Sequence, residues 1–359
     1  MRRRRWYLRA ACWALASAAF AGAGAEEEVP SIFAPEELEW RRILTQGVQE
    51  TRKGNYEAAE KHLKEALARA EKLERKDEQV ALSAAKLGSL CRVLHRLAEA
   101  EPLYVRALAE IEKVRPPGHT QVAVYMDNLS LLYQDTGQWA KAEKLSRGAL
   151  KILEKGLGPE HLDVAICLGN LASLCRHVDK DFEAGILYER ALKIEEKVLG
   201  PEELGVATTL DNLAQLYRDQ ADYEKAEEYC QRAVTIFEKH LGPNHLDLAI
   251  ALENLGRIRL DRGKFQEAEA PLLRGLRIFE KAFGPESGRL APTLEKYAEL
   301  LRKTDRAAEA KDVEARAKAL RAKQEEDRKQ EAAAKKKARE EKRPREEQEQ
   351  EAGETPKEP

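Results

Sequence analysis

Four asparagines stand 42 residues apart, at Asn128, Asn170, Asn212 and Asn254, and the column continues as Lys86 before them and Lys296 after them. A carboxamide carries both a donor and an acceptor, so a row of them can pair with the N–H and C=O of a peptide backbone whatever its side chains. Two charged columns keep step with this one. Six residues beyond it stand Arg92, Arg176, Arg218 and Arg302, interrupted by Gln134 and Leu260, and one residue before it stand Asp127, Asp211, Glu253 and Glu295. Six residues are about 120° round a helix, so the arginines border the asparagine face. Brought to one groove, the three columns would make an acidic rim, an amide centre and a basic rim. That suits a peptide with acidic residues beside an apolar anchor. In the competing reading the asparagines brace neighbouring helices, and the charges form solvated pairs worth about 0.2–0.5 kcal/mol each.

Other reactive residue types carry less. His119, His161 and His245 share one repeat position, with Glu203 breaking the series. Equivalent atoms on stacked helices lie on the order of 8–10 Å apart, whereas zinc needs ligand bonds of about 2 Å. The histidines therefore read as helix-start residues. Beyond Cys12 the cysteines are Cys91, Cys167, Cys175 and Cys230; Cys91 and Cys175 fall in a column otherwise held by Tyr133 and Tyr217. Buried free thiols are the expectation. Cys167 and Cys175 are about 12 Å apart along a helix, too far to bond; in an oxidising compartment the favoured bridge is Cys175–Cys230, because these two lie on consecutive hairpins. No G-x-x-x-x-G-K-[ST], H-E-x-x-H or G-x-S-x-G occurs, so no enzyme activity, cofactor or metal is expected.

The elements that position these columns repeat with the same period. Gly-Pro recurs at Gly158-Pro159, Gly200-Pro201, Gly242-Pro243 and Gly284-Pro285. Ala81, Ala123, Ala165, Ala207, Ala249 and Ala291 form one column, and Ala100, Ala142, Ala184, Ala226, Ala268 and Ala310 another. Leu87, Leu129, Leu171, Leu213 and Leu255 form a third, closed by Tyr297. Columns that hold one spacing over five periods mark an internal repeat. Within a period, residues 203–219 place their apolar side chains at helical spacing, a break follows at Gln220-Ala221-Asp222, and a second amphipathic helix runs from Tyr223 to Leu241. Glycine in a left-handed cap, with proline after it, is expected to end that helix. A lone helical hairpin leaves one face wet, so the units must stack.

The columns resemble the tetratricopeptide repeat, and the 42-residue version is similar to the repeats of kinesin light chains. Leu157-Gly158-Pro159-Glu160-His161-Leu162-Asp163-Val164-Ala165 and Asn212-Leu213-Ala214-Gln215-Leu216-Tyr217 carry the likeness. It implies an all-α fold, a right-handed α-solenoid of stacked antiparallel helix pairs, with about seven hairpins over residues 36–320. It also implies that the first helix of each hairpin lines a concave groove, where Asn128, Asn170, Asn212 and Asn254 would clasp an extended peptide. Arg92, Arg176 and Arg218 would then meet acidic side chains. The ends depart from the pattern: the first hairpin is one residue short, Phe182 is slipped by one, and the last hairpin has Lys296, Lys303 and no aromatic after Asp305-Arg306.

The chain ends read differently. Residues 2–5 are all arginine, Arg9 follows, and an apolar stretch from Ala10 to Phe20 runs into Ala23-Gly24-Ala25. This is the pattern of an export signal over residues 1–25, with a twin-arginine-like Arg4-Arg5-Trp6-Tyr7-Leu8-Arg9 and a short linker over 26–35. The whole chain balances 62 Lys+Arg against 64 Asp+Glu, which excludes a nucleic-acid binder of the basic type. Loss of the leader removes five arginines and no acid, so the mature chain is mildly acidic, and no later apolar run is long enough to span a membrane. Residues 321–359 lose Leu, Ile and Val and form a charged helical extension that Pro344 should interrupt, with a disordered end from Gly353. The expectation is an exported, non-enzymatic scaffold with a protein or peptide partner. The alternatives are a self-assembling homo-oligomeric spacer and an intracellular cargo adaptor of the kinesin light chain kind.

Overall fold

The computed structural model describes residues 34–74 and 76–353. Fourteen α-helices follow one another among the described residues: α1 Pro35–Lys53, α2 Tyr56–Ala70, α3 Asp77–Val93, α4 Leu97–Val114, α5 Thr120–Asp135, α6 Trp139–Leu157 and α7 Leu162–His177, then α8 Asp181–Leu199, α9 Leu204–Asp219, α10 Tyr223–Leu241, α11 Leu246–Asp261, α12 Phe265–Phe283, α13 Ala291–Lys303 and α14 Ala307–Gly353. A 3-10 turn, Gly288–Leu290, precedes α13. The described residues fall into two compact units that divide between Leu216 and Tyr217, within α9. In the first unit α1 packs on α2, α3 on α4, α5 on α6 and α7 on α8, and the hairpins are joined by α2 on α3, α4 on α5 and α6 on α7. First helices also touch in succession, α1 to α3, α3 to α5 and α5 to α7. In the second unit α11 pairs with α12 and α13 with α14 by the same rule. The fold is an α-solenoid of stacked helix pairs.

Close packing rests on the alanine columns. Ala81, Ala123, Ala165, Ala207, Ala249 and Ala291 are each 0% exposed, as are Ala100, Ala142, Ala184, Ala226 and Ala268. A methyl group at these points lets helix backbones approach, while Leu129, Leu171, Leu213 and Leu255 fill the space beside them. The cysteines Cys91, Cys167, Cys175 and Cys230 are buried thiols outside any disulfide, so the Cys175–Cys230 bridge is not formed.

The turns explain the other columns. Within hairpins, one residue per turn takes positive φ: Gly54, His95, Gly137, Asp179, Ala221, Gly263 and Asp305. Between hairpins the glycines differ from the expected left-handed helical cap. Gly158, Gly200, Gly242 and Gly284 have φ of 88°, 104°, 80° and 80° with ψ of 158°, 150°, 173° and 156°. That region is essentially glycine-only, because a Cβ would clash there. Each glycine N–H still bonds back to the helix, so the glycine's own φ and ψ turn the chain out toward the proline. The next helix then starts on a histidine cap. His119, His161 and His245 accept through Nδ1 from the N–H of Gln121, Asp163 and Asp247 at 3.2, 3.1 and 3.1 Å. Ser287 does the same for Arg289.

Prolines are absorbed inside helices. Pro271 in α12 leaves the Glu267 carbonyl without its helical donor, and Arg259 Nη1 supplies one at 3.1 Å. The expected interruption at Pro344 is also corrected, since α14 runs through it to Gly353. One missing backbone donor leaves a carbonyl that water can satisfy, and the flanking Ala, Glu, Lys and Arg are strong helix formers. The export signal expected over residues 1–25, nearly all of the linker and residues 354–359 lie outside the described residues. No helix among the described residues is long and apolar enough to cross a membrane.

Candidate functional site

Asn128, Asn170 and Asn212 lie on α5, α7 and α9, the first helices of successive hairpins, and all three are half-buried. Asn170 donates from Nδ2 to Asp127 Oδ2 at 2.6 Å, across the gap between α7 and α5. Asp127 is 8% exposed and also accepts from Ser146 at 3.4 Å and from the Cys167 thiol at 3.7 Å. Burial pushes its carboxyl up to about 6, against the pull of these donors. Asp211 and Glu253 are likewise turned inward, whereas Glu295, at the last hairpin, stays half-exposed and accepts from Arg321 at 2.6 Å. Asp211 is fully buried and accepts from Gln215 at 2.7 Å; Glu253 is 9% exposed and accepts from Thr293 at 2.9 Å. An acidic rim does not exist there, because a step of one residue rotates the side chain by about 100° into the helix interface.

Which asparagine is occupied depends on the residue just before the preceding member of the column. For Asn170 that residue is Asp127; for Asn128 it is Ala85, and for Asn212 it is Gly169. Neither alanine nor glycine can accept a side-chain hydrogen bond. Among the described residues no hydrogen bond is formed by the amides of Asn128 or Asn212. Asn254, on α11, is 4% exposed and already partnered. A narrow cleft between α5 and α7 opens along this row, with Val124 and Ile166 as apolar lining, Asn128 and Asn170 as polar lining, and buried Leu153 beneath. At the chain-start end of the column, Lys86 is half-buried; burial and then the Arg52 charge hold its ammonium below the usual range. At the other end Lys296 pairs with Glu299 at 2.7 Å.

The arginine column serves the stack. Arg92 is 5% exposed and donates to Asp135 at 3.0 Å. Arg218 pairs with Asp261 at 3.3 Å and with Asp219 at 3.3 Å. Arg176 is half-buried beside the Tyr188 hydroxyl, and Arg302 meets Glu314 at 3.2 Å. Arg92–Asp135 and Arg218–Asp261 share one offset, from the end of a first helix to the end of the next. The signal was in the sequence as a second acidic column, Asp135, Asp219 and Asp261, one residue out of step with the arginines. A second signal is Glu195, which stands in a column held by Ala70, Ile111, Leu153, Phe237 and Phe279 and charged again only at Arg321 in the last helix.

A family model described as tetratricopeptide repeat matches residues 42–113, 79–155, 120–184, 170–239 and 214–281. No curated protein matches the sequence. Among solved structures, BtubC (BKLC) from P. vanneervenii is similar at 24% identity and a TM-score of 0.53, over 70% of this chain and 94% of that one. A structure of nearly identical kinesin light chain TPR-like repeats from Podosopora anserina matches at 24% identity and a TM-score of 0.52, over 58% and 98%. A Rap protein complexed with Competence and Sporulation Factor matches at 19% identity and a TM-score of 0.55, over 80% and 78%. At these identities the likeness is one of fold.

Proposed function

The chain belongs to the tetratricopeptide repeat family, and from that premise we propose that it is a non-enzymatic scaffold holding an extended segment of a partner protein along its first helices. The observation that carries this is the pair of half-buried, uncommitted amides at Asn128 and Asn212, on helices that bear the cleft between Val124 and Ile166 or stand next to it. An amide that the protein's own hydrogen bonds leave open, at the edge of an apolar cleft, offers a passing backbone a donor and an acceptor at once. Asn170, tied to Asp127, sets the spacing between helices rather than the contact. Arg176 borders this face, while Arg92 and Arg218 support it through their ion pairs. The Rap protein that shares the fold was solved with a bound factor, which supports the use of such a stack for capture.

The compartment we propose is extracytoplasmic, on the strength of the arginine cluster, apolar stretch and Ala23-Gly24-Ala25 at the start of the chain. Sequencing the N-terminus of the protein from its own cell tests this: a start near Glu26 supports it, and an intact Met1 would favour the intracellular adaptor. Groove capture is tested with a random peptide library on the purified chain. Binding that is lost in an Asn128→Ala/Asn212→Ala double variant, with the helical melt unchanged, supports the reading; binding indifferent to both asparagines rejects it.

One observation favours self-association as a second reading. Phe182 and Ile186, a turn apart on α8, are 82% and 54% exposed, and such a pair is a natural contact for a second copy. Light scattering separates the two, since a concentration-dependent mass that Phe182→Glu abolishes would support assembly.

A further inference from the structure

The positions that line the cleft beside Asn128 have counterparts one repeat later with altered chemistry. Stepping each lining residue by 42 turns Leu153 into Glu195, Asp127 into Gly169, Cys167 into Thr209 and Asn170 into Asn212. An apolar floor thus becomes a carboxylate, and an inward-facing acid becomes no side chain at all. A Cβ built on Gly169 meets nothing within 4 Å, so the place that the Asp127 side chain takes in the earlier repeat is open space here.

Glu195 is the unusual member. It is 3% exposed, in a column whose members Ala70, Ile111, Leu153, Phe237 and Phe279 are buried and apolar and whose last member, Arg321, is exposed and paired with Glu295. Thr209 lies near enough to favour the charged carboxyl, which places it on the α9 side of α8. The atom Oε2 is buried without any hydrogen-bond partner. Among the described residues the one neighbouring charge that bears on it is another acid, Glu196, and no lysine or arginine pairs with it. A buried carboxylate without a donor is costly, and an apolar residue at this point would pack as it does in five other hairpins.

We infer that Glu195, with Asn212 and the space at Gly169, forms a subsite between α7 and α9 that takes a lysine or arginine side chain from the segment held in the groove. The amides of Asn170 and Asn212 border the entry, and the missing side chain at Gly169 leaves the path. A cationic donor at Oε2 supplies both the hydrogen bond and the counter-charge the protein lacks. This rests on the groove reading above and adds the chemistry of the partner: a basic side chain at one fixed position of the bound strand.

The test uses peptides selected from a random library on the full chain, then remeasured against Glu195→Leu, the residue of the preceding hairpin, and Glu195→Gln, which keeps the shape. The expected result is a basic residue enriched at one position, whose replacement by methionine weakens binding roughly tenfold or more, with that preference gone in both variants and their helical melts retained. Peptides that need Asn128 and Asn212 but show no basic preference, or a preference unchanged in both variants, would overturn the subsite and leave the groove standing. Failure to bind any peptide, or binding indifferent to the asparagines, would overturn both.

Discussion

Asn170 and Asp127 are joined by a 2.6 Å hydrogen bond that ties the fourth hairpin to the third. The bond explains why one member of a repeated column is committed while Asn128 and Asn212 are not. It also makes a buried acid depend on a neighbouring hairpin for its main donor.

Replacing Asn170 with alanine should cost about 1–3 kcal/mol, the penalty for leaving a buried acceptor short of its partner. The cost should grow with pH. Asp127 has its carboxyl raised to about 6 by burial, above the unfolded value, so its contribution is fully present below the unfolded pKa and is lost as pH rises through 6. Removing Asn170 takes away a donor that favours the charged form and widens the loss. Urea titrations of both chains at pH 5 and pH 8 check this; equal differences at the two pH values would contradict it.

Arg92 and Asp135 form a nearly buried ion pair, with side chains 4% and 10% exposed. Arg92→Met should destabilise by about 3–5 kcal/mol because it strands the Asp135 charge, while Arg92→Met with Asp135→Leu should recover most of the loss. Thermal melts of the two variants decide it. A single variant no worse than the double would mean that the pair ties nothing together.

Glu195→Leu is expected to stabilise the chain at neutral pH. The Glu195 carboxyl is raised to about 7, chiefly by burial, so stability is highest below the unfolded pKa and falls as pH rises toward 7. The full span is on the order of 3 kcal/mol. Leucine removes that slope. Melting temperatures across pH 4.5 to 8 should converge at the acid end and separate at the neutral end; parallel curves would exclude the assignment.

Ala221 sits exposed at φ 62° in the turn before α10. Left-handed backbone costs an alanine about 1–2 kcal/mol, and glycine gives back about half of the relief through its unfolded-state entropy. Ala221→Gly should therefore stabilise by about 1 kcal/mol. Gly242→Ala, at φ 80° and ψ 173°, should destabilise by more than that. Denaturant midpoints measure both, and a stabilising Gly242→Ala would overturn the backbone argument.

Much of the architecture was legible because it depends on local properties that repeat. The alanine columns, the Gly-Pro breaks and the histidine starts each act within one helix or one turn, and a fixed period exposes them. The hairpin with the odd glutamate was also visible, as Glu195 in a largely apolar column.

The site was less legible because its chemistry is set between hairpins. The order of residues alone settles that asparagines, arginines and acids recur in step, and that they lie near one face of the first helices. Only the packed structure decides that Asp127 turns inward to meet Asn170, that Arg92 is spent on Asp135, and that Asn128 and Asn212 keep their amides open. The reason is physical: one helical step swings a side chain through about 100°, and its partner is the residue that stacking brings to that angle. Spacing gives the column; the neighbouring helix gives the bond.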